Sequence, residues 1–364
     1  MALVAEGVLR FAGFTHEPVT LPPILLKGDE DQPDRGEGVF VSDTAQLWSP
    51  RPGVKVVYGA EQGERINADG YRGPLRSPRP AAGVLRVVAL GDSSTFGMGV
   101  PYHDTWCAQL EGLLDSEGEA VEVIDAGVIG FTIDQGLERY DELVHALAPD
   151  VVIAAFGGIN ECHPAAIRPD RAKIELRKEP RPVRRAFTLL REHSRVVQLA
   201  GWAVDRARGV SRESVLERWR LEREERGDVN QRAGRLDWDG ERRVGLERFS
   251  AALDELAARA RRDGAGFVLV SMPRAPHCDL ESPMLARYSQ AVTDAAERTN
   301  AALLDARAAF LSALAGPPAR DWSELFLDIY HPSRAGHALI ARELAPLVRP
   351  WAASKRASSP ASTR

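Results

Sequence analysis

Val84-Leu85-Arg86-Val87-Val88-Ala89-Leu90-Gly91-Asp92-Ser93-Ser94-Thr95-Phe96-Gly97 begins as a short apolar run and breaks at Gly91 into an acid and a set of hydroxyl residues. The run is rich in β-branched side chains and suits a strand buried on both faces. A helix-compatible segment follows from Thr105 to Leu114. A serine just past such a strand, at the start of a helix, projects from the strand's carboxyl end, where open α/β sheets bind ligands. Backbone N–H groups at a helix start are free to stabilise developing negative charge. On this stretch alone Asp92 or Ser93 can equally be a helix cap and nothing more.

The far end of the chain changes the balance. It reads Leu325-Phe326-Leu327-Asp328-Ile329-Tyr330-His331-Pro332-Ser333-Arg334-Ala335-Gly336-His337, then an apolar helical pattern through Ala338, Leu339, Ile340, Leu344 and Leu347. If His331 reaches Ser93 it can serve as general base, with Asp328 holding the other ring nitrogen. An Asp three residues before a His is weak alone, since a surface turn has the same letters. Among the other histidines, His337 sits in the helix pattern and reads as packing. His103, His145 and His193 lie in helical or polar contexts. His163 and His277 follow strand ends and can line a pocket, and His277 with Asp279 is an alternative to His331 with Asp328.

Between these ends the chain alternates. Val121-Glu122-Val123-Ile124-Asp125 reads as a second strand leading into Ala126-Gly127-Val128-Ile129-Gly130. Glycines there let backbone approach a ligand, or only permit tight turns. Val151 to Phe156 reads as a third strand and delivers Gly157-Gly158-Ile159-Asn160-Glu161. The Asn160 amide can donate to a tetrahedral intermediate, a role typically worth ~3 kcal/mol of barrier, although Asn also simply favours turns. Helices are expected at about 244–262 and 284–299, with strands at Phe267–Pro273 and Ala301–Asp305. Such alternation predicts an α/β fold, a three-layer α/β/α sandwich with a mostly parallel sheet.

Four blocks in this order resemble the SGNH hydrolases, also called GDSL esterases or lipases: Gly91-Asp92-Ser93, Asp125 to Thr132, Gly158-Ile159-Asn160-Glu161, and Asp328-Ile329-Tyr330-His331-Pro332. The resemblance covers roughly residues 83–162 and 244–348. It implies a flavodoxin-like sandwich and serine-dependent ester hydrolysis through an acyl-enzyme, with Ser93, His331 and Asp328 as catalytic residues. It also implies an oxyanion hole from the Ser93 N–H, the Gly130 N–H and the Asn160 side chain, with Gly127 the runner-up to Gly130. No metal or organic cofactor is implied. Where the family usually has Asp after the Asn, this chain has Glu161, a departure that bears on loop geometry rather than on the four catalytic positions. The substrate implied is a small-molecule ester or a glycan or lipid ester. Two rival functions are an O-acyltransferase acting on a glycan with the same residues and a catalytically inert binding protein.

At 364 residues, 44% hydrophobic and 27% charged, the chain can bury a full core. Its net charge of −5 argues against a general nucleic-acid binder. The three cysteines, Cys107, Cys162 and Cys278, have no metal-site spacing and form no disulfide framework. No stretch is long and apolar enough to span a bilayer, and the start lacks the pattern of a signal peptide. Met1 to Phe11 is a short amphipathic piece. It reads either as a short helix or, by resemblance to relatives with membrane anchors, as the end of such an anchor, which would place the protein at the cell envelope.

Residues 1–80 read as an irregular or β-like extension, with short β runs at Val39–Val41 and Val54–Tyr58. Ile66 to Pro74 resembles a segment ahead of the first block in some bacterial relatives, and either wraps the surface, packs beside the site or contacts substrate. The main domain is expected over 81–350, interrupted at about 163–243 by an Arg- and Glu-rich insertion with an amphipathic helix between Phe187 and Val204. That insertion can act as a lid, a partner-binding element or a membrane-surface element, and is expected to set substrate choice. Residues 351–364 are small and polar and read as a disordered tail.

Overall fold

A computed structural model describes residues 2–16, 39–56, 59, 63–165, 168–178, 190, 193–211, 214, 217, 232–317 and 319–358. Helix α1 (Ala2–Phe11) is followed by an antiparallel hairpin of β1 (Phe40–Asp43) and β2 (Leu47–Pro50). The main sheet begins with β3 (Leu85–Gly91), leading directly into a one-turn helix α2 (Ser93–Phe96) and then α3 (Trp106–Ser116). Next come β4 (Val121–Asp125), α4 (Ile133–Arg139), β5 (Val151–Ala155) and the short α5 (Ile159–Cys162). Helices α6 (Asp170–Lys178) and α7 (Arg195–Ala207) belong to the insertion. Regular alternation resumes with α8 (Leu246–Arg262), β6 (Gly266–Ser271), α9 (Cys278–Glu281), α10 (Met284–Thr299), β7 (Ala302–Asp305), α11 (Ala306–Ala315) and α12 (Arg334–Ser358).

The five strands β3 to β7 form one sheet in the order β4-β3-β5-β6-β7, and every pair is parallel. Because successive side chains of a strand point to opposite faces, β3 supplies both halves of the core. Leu85, Val87 and Ala89 pack with Trp106, Leu110, Phe310, Leu344 and Val348 from α3, α11 and α12. Val88 and Leu90 face the other way, toward Leu137, Phe249, Leu253 and Tyr288 from α4, α8 and α10. This is the expected three-layer sandwich, with all five paired strands parallel. The order reverses at β3: β4 lies on one side of it and β5 on the other. The crevice outside the carboxyl ends of β3, β4 and β5 is therefore the topological switch point where α/β sheets bind ligands.

Several expectations need correction. The chain does not become irregular at residue 351, because α12 continues to Ser358. Ala352 is buried, and the Trp351 indole packs so closely on Gly266 that a Cβ there would lie 2.4 Å from it. Residues 359–364 lie outside the described residues. Of the expected run at 54–58, Lys55 makes an isolated bridge to Arg65, and Val57 and Tyr58 lie outside the described residues. Strand β2 was not expected. The amphipathic helix of the insertion is α7, and positions 187–189, 191 and 192 of its expected range lie outside the described residues. Glu6 of α1 caps α7, accepting from the Arg195 and Val196 N–H groups at 3.0 and 3.1 Å. No helix among the described residues is long and apolar enough to cross a membrane.

Candidate active site

Strand β3 ends at Gly91, where no side chain fits: a Cβ would lie 2.1 Å from Thr95 Oγ1 and 2.6 Å from the Ala155 carbonyl oxygen of β5. Asp92 then adopts an extended conformation and caps α2, its Oδ1 accepting from the Ser94 N–H at 2.9 Å. Ser93 is the first residue of that helix. The turn closes at Gly97, in the left-handed conformation at φ 76°, whose N–H returns to the Ser93 carbonyl.

A one-turn helix cannot stabilise itself, and a buried arginine supports this one. Arg72 donates from Nη1 to the Phe96 and Gly97 carbonyls at 2.6 and 2.7 Å and from Nη2 to the Val100 carbonyl at 2.7 Å. Its Nε pairs with Glu64 at 2.5 Å, and its guanidinium lies 4.9 Å from the Phe96 ring centroid. The segment Ile66–Pro74 thus packs beneath the serine turn rather than wrapping the surface. Sequence reading marked that segment but not Arg72 itself.

On the other side of the crevice, Leu327 N–H donates to the His331 carbonyl at 2.8 Å, closing a tight loop just before α12. Within it, Asp328 Oδ1 accepts from the Tyr330 and His331 N–H groups, both at 2.8 Å. Asp328 Oδ2 lies 2.7 Å from His331 Nδ1, and His331 Nε2 lies 2.8 Å from Ser93 Oγ. The chain therefore brings Ser93, His331 and Asp328 into one hydrogen-bonded line. Partial burial works to raise the Asp328 pKa, but the bonds from the His331 ring and the two N–H groups outweigh it and hold the carboxyl down at about 2. It is a carboxylate at neutral pH, as a group orienting an imidazole must be.

Three of the other histidines, His337, His277 and His145, are engaged elsewhere. His337 is fully buried, accepts from the Trp106 N–H at 3.1 Å, and is pushed down to about 3 by burial. Asp279 is held by Arg274 and Arg307, while His277 meets the edge of Trp322 at 5.4 Å. His145 pairs with Asp263 at 2.8 Å. Burial lowers His163 to about 4.

The two loop glycines differ in a way invisible in the sequence. The Gly127 N–H is already used, donating to Asp125 Oδ1 at 2.9 Å. Gly130 has φ 76°, and among the described residues neither its N–H nor that of Ser93 donates to a protein acceptor. Asn160 stands on α5, and its Nδ2 donates to Asp92 Oδ2 at 3.2 Å. One amide hydrogen is thereby fixed and the second left to point elsewhere. Sequence reading gave Asp92 only a capping role. The bond to Asn160 joins residues 68 positions apart and carries no local signal.

Glu161 explains how the chain accommodates its departure from Asp. It is fully buried, and its Oε1 accepts from the Ile133 N–H at the start of α4 at 2.9 Å. Burial, reinforced by the neighbouring Asp92 charge, pushes it up to about 8. A carboxyl raised from 4.5 to about 8 takes up a proton on folding within that window. Stability is then full below pH 4.5 and is lost as pH rises through 8. Glu161→Gln should therefore flatten the fall in Tm between pH 5 and 8.5, narrowing it by about 4–6 °C. A fall as steep in the variant as in the parent would assign the dependence to Asp92 or Asp125, which burial also raises.

The model of the GDSL-like lipase/acylhydrolase family matches residues 89–339. An arylesterase from Vibrio mimicus is 29% identical over 92 residues, 24% of this chain and 46% of that protein, so the chain spans about half the length of this curated relative. Among solved structures, an alpha/beta hydrolase from the metagenome of Lake Arreo is similar at 19% identity and a TM-score of 0.46, covering 75% of this chain and 96% of that one. An acetylxylan esterase from Geobacillus stearothermophilus is similar at 20% identity and a TM-score of 0.44, covering 73% and 94%.

Proposed function

The chain belongs to the GDSL-like lipase/acylhydrolase family, and on that premise we propose that it hydrolyses ester bonds through an acyl-enzyme on Ser93. The observation that carries this reading is the continuous line Ser93 Oγ–His331 Nε2–Asp328, with contacts of 2.8 and 2.7 Å. His331 Nε2 accepts the Ser93 proton as Oγ attacks the ester carbonyl. The Asp328 carboxylate holds Nδ1–H and stabilises the imidazolium that forms. Negative charge on the carbonyl oxygen is received by the Ser93 and Gly130 N–H groups and the free amide hydrogen of Asn160. His331 then returns the proton to the leaving alkoxide, and water repeats the cycle on the acyl-enzyme.

Asp92 has a part in this scheme. Its bond to Asn160 leaves the amide only one free hydrogen, so the donor is oriented before substrate arrives. No metal or organic cofactor enters any step. Substrates are small-molecule esters, with acyl groups on glycans or lipids within the same chemistry.

A fluorophosphonate, which forms a tetrahedral adduct on an activated serine, tests the reading. It should label the protein once, with the added mass on the peptide carrying Ser93, and His331→Ala should slow labelling by orders of magnitude. Labelling on another serine, or equal rates in both proteins, would sink the assignment.

A further inference from the structure

We propose that Trp48, on strand β2 and outside the family-matched region, is a positioning residue for the oxyanion donor. The inference rests on the reading of Gly130 as that donor. The indole Nε1–H of Trp48 donates to the Ile129 carbonyl at 3.1 Å. That carbonyl and the Gly130 N–H belong to one peptide unit. A trans peptide is planar, with its C=O and N–H pointing in opposite directions. Holding the oxygen on the hairpin side therefore fixes the direction of the N–H on the other. A donor on the oxygen also polarises the unit, making the N–H a stronger donor in turn.

Glycine is where such a hold is needed. At φ 76° Gly130 occupies a conformation open to it without steric cost, but a glycine peptide also rotates away most readily. Two anchors oppose that rotation. Trp48 holds the carbonyl before Gly130, and Arg243 Nη1 holds the Gly130 carbonyl itself at 2.9 Å. Arg243 is fixed in turn by Asp170 at 2.9 Å from Nε and Gln135 at 3.0 Å from Nη2. Its guanidinium lies 5.7 Å from the Trp48 ring centroid, and that ring meets the Phe131 edge at 5.7 Å and 71°. The N-terminal hairpin and the end of the insertion thus converge on the two peptides flanking one glycine.

The test is Trp48→Phe, which keeps an aromatic ring against Phe131 and removes the N–H together with part of the indole. On a short-chain aryl ester, kcat should fall about five- to tenfold, the worth of one neutral hydrogen bond. KM should stay as in the parent, and Tm should fall by no more than about 1–4 °C, the cost of one unmade buried hydrogen bond. Inhibition by a boronic acid that forms a tetrahedral adduct on Ser93 should weaken by the same factor. Unchanged kcat and unchanged boronic-acid affinity would overturn the proposal. So would a loss of kcat that tracks a fall in Tm and disappears on cooling, since that marks a structural role. Asn160→Ala run alongside separates the two levels. If that variant is slow and Trp48→Phe is not, the Trp48 assignment alone falls. If Asn160→Ala keeps the parent kcat, the oxyanion reading falls and takes the Trp48 assignment with it.

Discussion

Ser93→Ala should lower kcat on a short-chain aryl ester by ~10⁴–10⁶-fold, the cost of removing a nucleophile from a unit that works together. The expectation follows from position. Ser93 Oγ is the hydroxyl that contacts His331 Nε2, at 2.8 Å. The adjacent hydroxyl is no substitute, because Ser94 is buried and its Oγ is directed to the Tyr330 carbonyl at 3.4 Å. The variant should fold normally, since the caps of α2 come from Asp92, Gly97 and Arg72 and not from the Ser93 side chain. Residual turnover should be independent of His331, reflecting the oxyanion donors and binding alone. A variant retaining more than about one per cent of parent kcat at unchanged Tm would remove Ser93 from the mechanism.

His331→Ala should be nearly as damaging, ~10⁴-fold or more in kcat, and combining it with Ser93→Ala should add almost nothing. A serine without its base is a poor nucleophile at neutral pH, and the line from Asp328 has nothing left to orient. The imidazole ring is mostly enclosed, with 17% of its side-chain surface exposed, so its removal leaves a recess beside Ser93. Added imidazole should therefore restore part of the activity of His331→Ala and none of that of Ser93→Ala. Additive losses in the double variant, or no difference between the two in imidazole, would show that the residues do not act on one step.

The layers of the fold were legible because buried parallel strands carry a signal that needs no partner: Val87-Val88-Ala89-Leu90 and Val151-Val152-Ile153-Ala154 are apolar on both faces. Ser93 and Asn160 stand out as candidates in short blocks at strand ends, and Asp328 and His331 in a short block just before the last helix. The supports do not. Trp48 sits in a four-residue strand that ends in Pro50 and begins at Leu47 with φ 69°, so neither period nor propensity marks it. Its bond reaches a carbonyl 81 positions away. Arg72 satisfies three carbonyls 24 to 28 residues downstream, and an arginine reads as surface unless its acceptors are known. Gly127 and Gly130 share one loop, and the acceptor on Asp125 and the left-handed φ of Gly130 separate them only in three dimensions. The tail was misread because Ala-Ala-Ser-Lys-Arg-Ala looks featureless, yet alanine is the best helix former and Trp351 supplies the contact that anchors it.

The line from serine to histidine joins positions 238 residues apart. Contacts so distant in sequence are late and entropically costly to close. Ser93 directly follows the first strand of the main sheet, and His331 comes in the sequence only after the last strand, β7, which pairs with β6. A nascent or half-refolded chain can therefore own a complete serine turn and still have no base. On the proposed mechanism, recovery of turnover during refolding should therefore lag formation of the serine turn, and a chain still emerging from its ribosome should be inactive toward esters.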